Sequence, residues 1–294
     1  MTRRLIEAAA AALTAGALLA GPAVAASADP GPTAPLPARP APTAPLAPVR
    51  ATDYHAIVAL SNCSGSVVRG PKSVDSDPAL VLTNGHCSEL GMPGPGEVVT
   101  DHSSSRSFTL LNSSGTGSLG TLRASQIEYS TMTDTDVTLY KLRLTYGQIK
   151  AQYGTSALQL SPDHPTAGTP ISVVSGYWRK TYNCGIDGFV YQLHEADWVW
   201  KDSLRYTASC NTIGGTSGSP VISNTSGLVV GVNNTGNEDG EQCTLDNPCE
   251  VDQNGNVTVR QGIGYGQETY LLTQCLTTHS DIDLTNPNCR LPRP

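Results

Sequence analysis

Residues 214–222 read GGTSGSPVI. Paired glycines, a serine among small residues, and a proline leading into an apolar run describe a tight turn that enters a strand. The same letters also describe a serine in a solvated glycine-rich loop. A serine hydroxyl attacks carbonyl carbon only when a base removes its proton, and that base is usually a histidine held by an acid. What Ser217 does is therefore decided by partners elsewhere in the chain.

Of the six histidines, His86 stands apart. It lies in VLTNGHC, residues 81–87, directly after a strand-like run and directly before Cys87. A disulfide from Cys87 to Cys63 would pin that backbone, as a catalytic group requires. His55, His102, His164, His194 and His279 lack such a setting and read as surface or internally satisfied residues. For the acid, DTDVTLYKL at 134–142 offers Asp134 and Asp136 on one face of a strand.

In chain order, VLTNGHC, DTDVTLYKL and GGTSGSPVI resemble the three signature stretches of the trypsin-like, chymotrypsin-fold serine peptidases. The likeness is greatest to their secreted bacterial branch, which includes the glutamyl endopeptidases. It spans roughly residues 51–275, with only the three stretches and Cys87 specific. Residue by residue it implies a triad of His86, Asp136 and Ser217, with Asp136 preferred over Asp134 because Val137-Thr138-Leu139 follows it. It further implies an oxyanion hole made by the backbone N–H groups of Gly215 and Ser217. Ser219 stands where the family has a second glycine. The implied fold is all-β: two six-stranded antiparallel barrels with the site in the cleft between them. The order His, Asp, Ser argues against α/β hydrolases, in which the serine comes first.

The likeness breaks at specificity. The position that holds an Asp in trypsin-type enzymes is Asn211, and the facing wall, with Asn233 and Asn234, lacks the histidine of glutamyl enzymes. Neither a basic nor an acidic substrate residue is strongly demanded by these signatures. An acidic segment follows, with Glu238, Asp239, Glu241, Asp246, Glu250 and Asp252 around Cys243 and Cys249. It reads as a solvated loop, with a field favouring basic substrates or a calcium site as alternatives. Thr216 replaces the Asp that, in many animal relatives, pairs with a new N-terminal ammonium, so no such gating is expected.

Composition supports an exported β-rich protein. The chain has 294 residues, net charge −7 and 15% charged residues, which leaves no basic face for nucleic acid. Residues 1–25 read as a signal peptide: basic MTRR, an alanine-rich apolar run, and AVA at 23–25. Arg3-Arg4 leaves general-secretory and twin-arginine export both open. Residues 26–50 form a Pro/Ala-rich linker or short pro-segment. The peptidase domain then runs over 51–294, with barrels at about 51–150 and 151–275 and a disulfide-closed tail at 276–294. Eight cysteines in an exported chain predict four disulfides, by nearest-neighbour pairing Cys63–Cys87, Cys184–Cys210, Cys243–Cys249 and Cys275–Cys289. No spacing resembles a metal site, and no cofactor is expected.

Between turn residues lie short Val/Ile/Leu-rich runs such as HAIVAL, ALVLT, ISVVSGY and LVVGV, as in a barrel or sandwich. VDQNGNVTV predicts a hairpin turning at Asn254–Gly255, and GQETYLLTQCL, residues 266–276, predicts a helix. The expected protein is a secreted, extracellular, monomeric serine endopeptidase. It would act on proteins or peptides, with no nucleic-acid partner and no membrane after signal removal. An inactive binding barrel and an esterase of the same fold are the alternatives.

Overall fold

Strand propensity and turn chemistry partition the chain as the apolar runs indicate. The computed structural model describes residues 53–294. The expected signal peptide and the 26–50 linker lie outside the described residues. The first group of elements is β1 (Ile57–Ala59), β2 (Ser64–Arg69), β3 (Pro78–Thr83), β4 (Val98–Ser103), β5 (Ser107–Leu111), β6 (Ser118–Thr131), β7 (Val137–Thr145), α1 (Tyr146–Tyr153) and β8 (Leu158–Gln159). The second is β9 (Pro170–Ser175), β10 (Lys180–Glu195), β11 (Trp198–Tyr206), β12 (Pro220–Ser223), β13 (Val229–Gly236), β14 (Cys249–Val251), β15 (Val257–Val259), β16 (Gly264–Glu268) and α2 (Tyr270–Cys275).

Each group closes a ring of six antiparallel strands. In the first, pairing runs β1-β5-β6-β7-β3-β2 and returns from β2 to β1, with β4 added on β6 and β8 parallel to β2. In the second it runs β9-β10-β11-β16-β13-β12 and returns to β9, with β14 and β15 added on β10. Closure removes free edges, so short strands suffice. Alternation fills each ring: on β5, Phe108 and Leu110 are buried while Ser107 and Thr109 are exposed. The first core gathers Ile57, Leu80, Leu82, Phe108 and Leu122, and the second Ile171, Val173, Leu204, Tyr206 and Val221.

The C-terminal segment does not stay with the second barrel. Leu272, Cys275, Cys289 and Leu291 join the first barrel's core, and Tyr129 donates its hydroxyl to Pro292 O at 2.9 Å.

Local sequence reading departs from the structure in three places. The predicted helix over 266–276 is shorter, because Gly264–Glu268 pairs on both sides, with β11 and β13, and only Tyr270–Cys275 is helical. Sequence patterning gives no helix at 146–153, yet α1 forms there through a capping box. Thr145 Oγ1 accepts from Gln148 N–H, the Gln148 side chain accepts from Thr145 N–H, and Gly154 closes the end in the left-handed region. The hairpin at 254–255 exists, but its loop spans 252–256, with Asp252 Oδ1 accepting from the N–H groups of Asn254 and Asn256.

Candidate active site

His86 follows β3, and Asp136 immediately precedes β7, the strand paired to β3. That pairing sets them together. His86 Nδ1 lies 2.7 Å from Asp136 Oδ2, and the His86 backbone N–H donates to Asp136 Oδ1 at 3.1 Å. Asp136 is fully buried, and Asn84 Nδ2 donates to its carbonyl at 2.9 Å. The loop can approach this closely because residue 85 has no side chain: a Cβ there would stand 2.2 Å from Thr131 O and 2.9 Å from Asp136 Oδ1. Asp134 points elsewhere. It has φ 61° and pairs with Lys201 Nζ at 2.8 Å on the surface.

Ser217 is carried by the turn before β12. That turn is braced against the first barrel, because Ser64 N–H on β2 donates to Ser217 O at 2.8 Å. Ser217 Oγ donates to Asn234 O at 3.1 Å rather than to His86. Thr216 Oγ1 donates to Ile213 O at 2.5 Å and accepts from Asn233 Nδ2 at 3.1 Å, so its hydroxyl is satisfied locally. Trp178 Nε1 holds the Gly214 carbonyl at 2.7 Å. Since the peptide is planar and trans, the Gly215 N–H faces the opposite way. Neither the Gly215 nor the Ser217 amide N–H donates to a group among the described residues.

His86 and Ser217 line one cavity of about 420 Å³. Asn233 and Asn234 are buried in its wall, as is Thr216. Asn211 departs from the expected pocket. It is exposed, has φ 47°, bonds its own neighbourhood through Ser209 O, and leaves the lining to Thr212 and Ile213. The acidic segment is not simply a solvated loop: Glu238 and Asp246 line the cavity, while Glu250 binds Arg205 and Arg260. The four disulfides join Cys63–Cys87, Cys184–Cys210, Cys243–Cys249 and Cys275–Cys289.

Sequence reasoning missed the far wall, formed by Met92, Met132, Trp198, Trp200 and Glu195. Glu195 is only 4% exposed. Its Oε1 accepts from Asp246 N–H at 2.9 Å, while Oε2 is buried without a hydrogen bond. Burial pushes this carboxyl up to about 7, against the opposing influence of Thr235, the Asp246 backbone and His86. Burial also lowers the His86 pKa, but the charge and hydrogen bond of Asp136, with smaller contributions from Glu195 and Asp246, outweigh it and leave His86 above its ordinary 6.5. The local signal was slight: Glu195 sits at the β10–β11 corner, between two strand-like runs, and nothing in HEADW marks it for a cleft.

Several solved structures are similar at low identity. The Rv3671c protease of M. tuberculosis in its active form is 15% identical, over 76% of this chain and 79% of that one, with TM-score 0.45. The MamO protease domain of Magnetospirillum magneticum is 15% identical, over 74% and 94%, with TM-score 0.43. A Glu endopeptidase is 16% identical, over 73% and 85%, with TM-score 0.41. No curated protein matches. The family model for the trypsin-like peptidase domain matches residues 63–232, more than half of the chain, and with two closed β-barrels around a His–Asp pair and a serine, this protein belongs to the trypsin-like peptidase family.

Proposed function

We propose that this protein is a secreted serine endopeptidase that cleaves peptide bonds through an acyl-enzyme on Ser217. What supports the reading above all is the 2.7 Å bond between His86 Nδ1 and buried Asp136, on the wall of a cavity that Ser217 also lines. With Nδ1–H donated to Asp136, Nε2 is the free basic nitrogen. In the reacting enzyme the Ser217 hydroxyl leaves Asn234 O and donates to that nitrogen. Ser217 Oγ then attacks the substrate carbonyl while His86 takes the proton. The oxyanion accepts from the unengaged N–H groups of Gly215 and Ser217. His86 returns the proton to the leaving amine, and water repeats the sequence to free the enzyme. No cofactor takes part. Four disulfides fit an oxidising, extracellular setting, and among the described residues no helix is long and apolar enough to cross a membrane.

A fluorophosphonate probe tests the chemistry. Labelling of Ser217, located by peptide mapping, together with cleavage of a peptide library, supports an endopeptidase. Labelling without peptide cleavage leaves an esterase, and no labelling of folded protein refutes both. An acidic substrate residue in this cavity meets Glu195, Glu238 and Asp246, so cleavage after Glu is expected to be weak.

The two aspartates make a paired prediction. Asp136→Asn should lower kcat by about 10⁴-fold near neutral pH, because the amide favours the wrong imidazole tautomer. Asp134→Asn, losing an exposed ion pair, should change kcat/KM by less than about twofold.

A further prediction concerns pH. The proton-accepting form of His86 is neutral, so the acidic limb of kcat/KM should lie above pH 6.5. Glu195 loses its proton near 7, and its charge favours protonated His86. Glu195→Gln should therefore move that limb to lower pH, read from a kcat/KM profile.

A further inference from the structure

Away from the cavity, β11 and β16 set two carboxylates side by side. Their register pairs Leu204 with Gly266, which brings Asp202 next to Glu268. Like charges in such cross-strand positions repel. Asp202 sits within its strand at φ 53°, a conformation that re-aims its side chain. Between the carboxylates stands the ring of His164, from the connection between β8 and β9, with Nε2 at 3.0 Å from Glu268 Oε1 and 3.3 Å from Asp202 Oδ2. His164 Nδ1 lies 2.6 Å from Pro165 O. Donation of Nδ1–H to that carbonyl leaves the Nε2 lone pair aimed at the two acids. The Glu268 side chain is 1% exposed, and neither of its oxygens has a hydrogen bond among the described residues.

We propose that His164, Asp202 and Glu268 form a binding site for a zinc-like divalent cation, separate from the His86–Ser217 cavity. An imidazole nitrogen with two carboxylate oxygens suits zinc and its borderline neighbours, whereas calcium and magnesium prefer all-oxygen shells. Around an ion with bonds of about 2.0 Å, tetrahedral ligand atoms lie about 3.3 Å apart, close to the spacings here. Tyr270 donates its hydroxyl to Asp202 Oδ2 at 3.2 Å, and Pro165 O holds the imidazole, the kind of outer support that orients ligands. His164 and Asp202 remain partly exposed, which gives an ion an entry path and an open fourth position for water. The three ligands come from distant segments, so no spacing motif announces them.

The test is calorimetric titration of the metal-stripped full chain with zinc chloride at pH 7, with Tm measured alongside. Expected are one saturable site, a zinc-dependent rise in Tm, and at least 100-fold weaker binding in both His164→Asn and Glu268→Gln. Each variant is checked for folding by circular dichroism; should Glu268→Gln not fold, His164→Asn still decides. No saturable binding up to millimolar zinc would overturn the proposal. So would binding that a folded variant leaves unchanged.

Discussion

Replacement of Ser217 by Ala is expected to lower kcat/KM on any peptide substrate by about 10⁴-fold or more, since the members of such a triad act as a unit. Folding should survive. The hydroxyl contributes one hydrogen bond, to Asn234 O, whose loss costs about 1 kcal/mol. The turn itself is held by backbone bonds that Ala keeps, among them Ser64 N–H to Ser217 O and Gly218 N–H to Asn233 O. Residual hydrolysis above the uncatalysed rate should persist, because the variant keeps the unengaged Gly215 and Ser217 amides proposed as oxyanion donors. The measurement is progress curves at high enzyme concentration with a thermal melt of the same sample. Full activity in the variant would remove Ser217 from the chemistry.

Gly218→Ala is expected to be nearly as damaging, by another route. Gly218 has φ 79°, where an L-residue is strained by about 1–2 kcal/mol. Its absent Cβ would fall 2.1 Å from Ser64 O and 2.2 Å from Thr83 Oγ1, both on strands of the first barrel. A clash with backbone cannot be relieved by turning a side chain. The turn must retreat from β2, taking Ser217 with it, and a misplacement near 1 Å costs about 100-fold in rate. Strain and overpacking together should remove about 3–5 kcal/mol of stability, seen as a fall in Tm of roughly 6–20 °C. Unlike Ser217→Ala, this variant should lose activity and stability together. A variant with normal Tm and normal kcat/KM would mean that the turn has room this structure does not give it.

The turns at Gly85 and Gly218 explain why so much was legible. Gly85 and Gly218 lie where backbone meets backbone, and such contacts leave letters in the sequence that no other residue can replace. The strands were legible for a related reason: alternation on β5 and turn residues at its ends are local properties. What escaped reading was assembled by the fold. Asn211 lies beside a cysteine in the expected place, yet its positive φ turns it to solvent, which no pattern of side chains encodes. Glu195, Trp198 and Trp200 reach the cleft only because the β10–β11 corner folds over it. Tyr146 and Ile149 are the only buried residues of α1, too few for a helical stripe, although its capping box was written at Thr145 and Gln148.

The crossing of residues 270–292 back to the first barrel makes that barrel depend on a segment distant in the chain. Leu272, Cys275, Cys289 and Leu291 complete a core whose other members are mostly more than a hundred residues earlier. A growing chain that has delivered β1 to β7 therefore holds an unfinished barrel, with apolar surface waiting for its cover. Contacts of such long sequence separation form late and slowly. The first barrel's core is thus complete only when residues 270–292 are in place, with the Cys275–Cys289 disulfide closing the segment that covers it.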